Sequence, residues 1–154
     1  TPLLNRPAFD RDCKTIAEQS DITFVMFDIN GLKSTNDTWG HVIGDQLIQS
    51  AAKLITDTFQ PVGTVYRTGG DEFVAILQGA SETTTAELLQ TFAERMQGQT
   101  IDHAIPVRIA YGAASTREVD VTAANLLQHA DQRMYARKKA MKQAEAAGIV
   151  GGHD

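Results

Sequence analysis

The run "ITFVMFD", Ile22–Asp28, is the feature that most narrows what this chain can fold into. Apart from Thr23 it is apolar up to its last residue, without the polar alternation of a half-solvated strand. Such a run is a strand buried on both faces, so other elements must pack above and below it. It ends on an acid, Asp28, ahead of "INGLKSTNDTWGH". That stretch is rich in Asn, Gly, Ser and Thr and reads as a loop with one helical turn.

The flanking segments supply the covering layers. Residues 6–19 read as a first helix, with Asn5 as N-cap and Pro7 in the first turn. From about Val42 to Phe59, Ile43, Leu47, Ala51, Leu54 and Ile55 recur at helical spacing, and Pro61 and Gly63 end the pattern. "TVYRT" and "EFVAIL" are strands joined at Gly69-Gly70, which reads as a two-residue hairpin turn. "TTTAELLQTFAERMQ" is a helix, Pro106–Ser115 a strand, and Val121 to about Gly148 a long last helix. After the first helix the order is β-α-β-β-α-β-α. This predicts an α+β fold with a ferredoxin-like βαββαβ core, a central antiparallel sheet flanked by helices. We expect a single domain over residues 1–148, with residues 149–154 as a frayed tail. In this arrangement Asp28 and Asp71 meet at one end of adjacent strands.

Composition excludes the other broad classes. With 42% hydrophobic and 21% charged residues over 154 positions, the chain is of ordinary globular type and long enough for one core. Its net charge of −5 lacks the basic footprint of a nucleic-acid binder, so no nucleic-acid partner is expected. The single cysteine, Cys13, fits a reducing, cytoplasmic compartment. No run approaches the roughly 18 apolar residues of a membrane span, and no membrane contact by this domain is expected. The chain opens on Thr1 rather than Met, which leads us to expect a fragment of a longer protein.

Mg²⁺ takes oxygen ligands and shares its shell with substrate phosphates, and Asp28, Asp71 and Glu72 carry such oxygens. Gly-Gly-Asp is equally good chemistry for a plain hairpin. In the stretch from Asp28 to Asp45, Gly31 lets backbone N–H groups approach phosphate oxygens and Lys33 adds a point charge. Asn36 and Asp45 together match the donor and acceptor edge of guanine, although a polar loop capping the next helix has the same composition. Lys138 and Lys142 lie four apart on the last helix, able to reach phosphates or simply to complement the helix dipole. Trp39 reads as packing, and His41 carries no catalytic assignment.

Four segments, in order, resemble the GGDEF family of diguanylate cyclases over nearly the whole chain: "TPLLNR", "DINGLKSTNDTWGHVIGD", "RTGGDEF" and "ADQRMYARKK". The resemblance implies condensation of two GTP molecules to cyclic di-GMP. It implies a metal site of Asp28, Asp71 and the Ile29 carbonyl, for Mg²⁺ with Mn²⁺ as the alternative ion. Catalytic roles fall to Asp71, Glu72 and Lys33. Gly31, Leu32, Asn36, Asp45, Gly69, Gly70, Lys138 and Lys142 would bind the substrate. One domain holds one GTP, so a transient antiparallel homodimer is expected, brought together by an N-terminal sensory domain of the parent protein. The parent could be anchored in a membrane. Asn30, Leu32 and Lys142 replace the family's Asp, Phe and Arg. Gln60–Gly63, "QPVG", replaces the Arg-x-x-Asp of the family's product-inhibition site. The alternative, a catalytically silent GTP-binding regulatory domain, is disfavoured by the intact Gly69–Phe73 signature, and Asp45 speaks against an adenine substrate.

Overall fold

The computed structural model describes residues 3–16 and 21–147; the end expected for the first helix, the end of the last helix at Gly148 and the tail 149–154 lie outside them. Helix α1, Arg6–Ile16, starts as expected from Asn5, whose Oδ1 accepts from the Ala8 N–H at 3.1 Å. Strand β1, Ile22–Ile29, is followed by α2, Leu32–Trp39, and α3, His41–Phe59. Strands β2, Gly63–Arg67, and β3, Glu72–Gln78, form the hairpin, and α4 spans Glu82–Met96. A small pair, β4, Thr100–Ile101, and β5, Ile105–Pro106, precedes β6, Ile109–Ser115, and α5, Leu126–Ala146.

The main sheet has the order β2-β3-β1-β6 and every neighbouring pair is antiparallel. Strand β1 is interior and alternates between two cores. Val25, Phe27 and Ile29 pack with Phe59 and Phe92 beneath α3 and α4. Phe24 and Met26 pack with Phe9, Ala130 and Met134 beneath α1 and α5. The unbroken apolar run thus serves both faces, as a doubly covered strand must.

Four expectations need correction. The polar stretch after β1 is not a loop with a single helical turn but the eight-residue helix α2. Gly31, at φ 78°, turns the chain out of the strand, and its carbonyl accepts from the Thr35 N–H at 2.9 Å to start the helix. Gly40, at φ 90°, separates α2 from α3. The hairpin turn is longer than two residues. Arg67 pairs with Phe73, and neither Gly69 nor Gly70 occupies the left-handed region that a tight primed turn requires. The strand expected from Pro106 is split. Pro106 belongs to the β4–β5 pair, whose turn holds His103 at φ 65°, and β6 begins at Ile109. The last helix begins at Leu126 rather than Val121, because Asn125 Oδ1 accepts from the Thr122 N–H at 2.7 Å and closes a turn ahead of it.

Candidate active site

Strand pairing brings the acids together. Asp28, near the end of β1, sits directly across from Glu72 on β3 and from Ala110 on β6. The turn bearing Asp71 is drawn against β1, since the Ile29 N–H donates to the Asp71 carbonyl at 2.9 Å. Arg67 locks the same turn from the other side. Its guanidinium donates to the Gly69 carbonyl at 3.2 Å and the Gly70 carbonyl at 2.7 Å. The Thr68 hydroxyl donates to Glu72 Oε2 at 2.7 Å. The turn therefore has a defined shape without left-handed glycines. A Cβ on Gly70 would meet nothing within 4 Å, and one on Gly69 only the Glu72 Cβ at 3.4 Å. Among the described residues no atom would block a Cβ at either position, and the bare backbone leaves the space above the turn open.

The other end of the site is built on the α2–α3 corner. The Asn36 carboxamide lies over Gly44, where a Cβ would come within 1.7 Å of Asn36 Oδ1. Asp45, the next residue, is exposed. Gly31 has open space around its Cα, while the Leu32 side chain packs against the core, which leaves its backbone for any contact with substrate. Gly44→Ala should displace Asn36 with little disturbance elsewhere. If Asn36 recognises the base, KM for GTP rises by roughly tenfold, the effect of about 1.4 kcal/mol lost from one polar contact. Steady-state kinetics with unchanged KM would show that Asn36 does not recognise it.

The predicted phosphate-binding lysines separate. Lys33 is 90% exposed and pairs along α2 with Asp37 at 2.8 Å. Lys142 is exposed on the last turns of α5. Lys138 instead reaches into the acids, its ammonium 2.9 Å from Asp28 Oδ1, with each side chain only 18% exposed. That ammonium is the one polar partner of Asp28 Oδ1 among the described residues. Burial pushes the Asp28 carboxyl above its ordinary range against the pull of Lys138, with the charges of Asp71 and Glu72 adding to the rise. Asn30, where the family has a second acid, turns toward α5 instead, its amide 3.6 Å from Met141 Sδ.

A divalent cation suits this donor set. Among the described residues no three His, Cys, Asp or Glu side chains converge into a self-sufficient metal cage. Mg²⁺ characteristically takes one or two carboxylates plus substrate phosphates, and a largely buried carboxylate whose partner is a cation, beside two further acids, fits that demand.

Sequence reading missed Arg67, Thr68, Gly44 and Gly112. Gly112, in the middle of β6, carried the only local signal, an isolated glycine inside a strand. A Cβ there would lie 2.1 Å from the Met134 backbone N and 2.6 Å from the Ala130 carbonyl, so α5 rests backbone to backbone on β6. That close seat holds α5 beside the β1 end, where Lys138, one turn beyond Met134, meets Asp28.

Fold and site define a class: an α+β domain with acids gathered at one end of an antiparallel sheet and an open Gly-Gly turn beside them. The family model described as "Diguanylate cyclase, GGDEF domain" matches residues 1–144. The chain is 35% identical over 141 residues to the "Probable diguanylate cyclase DgcI" of Escherichia coli K12, covering 90% of this chain and 30% of that protein. It is 30% identical over 146 residues to the diguanylate cyclase VdcA of Vibrio cholerae, covering 88% of this chain and 42% of that one. Its structure resembles the GGDEF domain of DgcB from Caulobacter crescentus, solved in complex with c-di-GMP. The TM-score is 0.78 at 28% identity, covering 91% of this chain and 88% of that one. The chain belongs to the GGDEF family. It spans less than half the length of these two curated relatives.

Proposed function

We propose that this domain is one half of a diguanylate cyclase, binding one GTP and acting with a second copy in antiparallel orientation. What supports the reading is the meeting of Asp28, Asp71 and Glu72 beside a Gly69-Gly70 turn whose bare backbone faces open space among the described residues. The guanine lies between Asn36 and Asp45, and its donor edge suits the Asp45 carboxylate. Lys33, Lys138 and Lys142 hold the triphosphate, with the backbone at Gly31 and Leu32 closing over it. The α-phosphate rests against Gly69 and Gly70. Asp28, Asp71 and the Ile29 carbonyl would hold a divalent ion (Mg²⁺, or Mn²⁺ in its place), which would supply positive charge to the phosphoryl oxygens. Glu72, released from Thr68, takes the proton of the 3′-hydroxyl presented by the GTP on the other copy. That oxygen bonds to the α-phosphorus as the bond to the β-phosphate oxygen breaks and pyrophosphate leaves. The reciprocal attack closes the ring.

A half-site implies control through assembly, and an N-terminal sensory domain in the parent protein would provide it. Among the described residues no helix is long and apolar enough to cross a membrane. GTP as substrate places the reaction in the cytoplasm. The test is to force dimerisation through a fused coiled coil, add Mg²⁺ with GTP or ATP, and identify products by mass spectrometry. Cyclic di-GMP from GTP alone is expected. GTP binding without product would instead mark a silent regulatory domain.

Product inhibition through the Gln60–Gly63 segment is not expected. Gln60 caps α3, and Gly63 begins β2 where a Cβ would lie 2.4 Å from the Ile76 carbonyl. An acid at position 63 therefore meets backbone, a clash worth roughly 1–3 kcal/mol. Calorimetry of the Gln60→Arg, Gly63→Asp double variant should show lower stability and no gain in cyclic di-GMP affinity. Tight binding by the unaltered domain that disappears on changing Gln60 would contradict this.

A further inference from the structure

The charge around Asp28 is settled by a residue that the chemistry needs elsewhere. Asp28, Asp71 and Glu72 raise the local negative charge, and one ammonium, that of Lys138, answers it from 2.9 Å. The Arg67 guanidinium beside the turn is occupied by the carbonyls of Gly69 and Gly70. Both members of the Lys138–Asp28 pair are largely removed from solvent, where losing one partner leaves a costly unpaired charge. The Asp28 oxygen that Lys138 approaches has no other polar partner among the described residues. An oxygen whose one partner is a cation can exchange it for another without breaking a wider hydrogen-bond network. The seat of Lys138 is also imposed by the fold, since α5 packs backbone to backbone on β6 over Gly112.

We propose that Lys138 is a built-in stand-in for the divalent cation: its ammonium holds Asp28 until a metal ion displaces it, and then passes to the triphosphate. Metal arrival and phosphate capture become one exchange of cations at Asp28. The domain is thereby protected from an unpaired buried carboxylate in the absence of substrate, and the bare ion binds weakly unless phosphate is present to receive the lysine. This inference rests on the assignment of Asp28 to the metal site.

The test measures Mn²⁺ binding to the nucleotide-free domain by electron paramagnetic resonance. If the ion pair is formed roughly nine-tenths of the time, about a tenth of the molecules are competent, and Lys138→Met should bind Mn²⁺ about tenfold more tightly. Lys142→Met removes the same charge from an exposed position and should change affinity by less than about twofold, because solvent and salt screen it. Asp28→Asn should abolish the binding. Equal or weaker Mn²⁺ binding by Lys138→Met, with Asp28→Asn inactive in binding, overturns the exchange and leaves the metal site standing. Undiminished binding by Asp28→Asn overturns both. Should Lys138→Met fail to fold, the unaltered protein still decides the matter through the ammonium ¹⁵N resonance of Lys138. It must move when Mg²⁺ is added to saturation without nucleotide, and a resonance that stays put at saturation refutes the proposal.

Discussion

Asp71→Ala should lower cyclic di-GMP formation by the dimerised domain by a factor of roughly 10²–10³ or more, the loss typical of removing one preorganised electrostatic group from a reacting site. The fold should survive the change. The structural contact of Asp71 is made by its backbone carbonyl, which accepts from the Ile29 N–H at 2.9 Å and persists in the alanine variant. The substitution thus deletes a carboxylate and little else. Chromatographic assay of product, with a melting curve as control, separates a chemical defect from a folding defect. A variant that melts normally and still cyclises GTP at near the parent rate would remove Asp71 from the chemistry. Asp28 is a less clean target, because its carboxylate is half of a buried ion pair with Lys138.

Gly112→Ala should be among the most damaging single-methyl additions in the chain. The new Cβ would fall within 2.1 Å of the Met134 N and 2.6 Å of both the Ala130 carbonyl and the Arg133 carbonyl carbon. These are backbone atoms of α5, so no side chain can swing aside and the helix must lift from β6. Overpacking of this kind costs roughly 1–3 kcal/mol, and a domain of this size loses about 2–4 °C of Tm per kcal/mol. Product formation should fall as well, since lifting α5 carries Lys138 away from the site where it would hold the triphosphate. Thermal unfolding checks the packing claim, and a Tm within about 1 °C of the parent would refute it.

Much of this architecture is legible in the chain order. The β1 and β3 runs are short, apolar and rich in β-branched and aromatic residues, which marks them as buried strands, and the helical spacing from Ile43 to Ile55 marks α3. The helix α2 escaped notice for a physical reason. Only Thr35 of its eight residues is buried, so it shows no apolar stripe, and two positive-φ glycines rather than side chains bound it. The length of the signature turn was equally hidden. Gly-Gly suggests a tight primed turn, but the Asp71 carbonyl is claimed by β1 and Arg67 holds the turn carbonyls, so tertiary hydrogen bonds overrule local preference.

By itself, then, the amino-acid sequence determined the family, the layered α+β order and the acids placed at strand ends, because apolar periodicity and turn chemistry are local properties of the chain. The tertiary structure alone decided which charge meets which. Lys138 and Asp28 stand far apart in sequence and carry no mutual signature; they meet because Gly112 lets α5 settle onto β6, and a buried carboxylate beside two others accepts the nearest cation that the packing delivers.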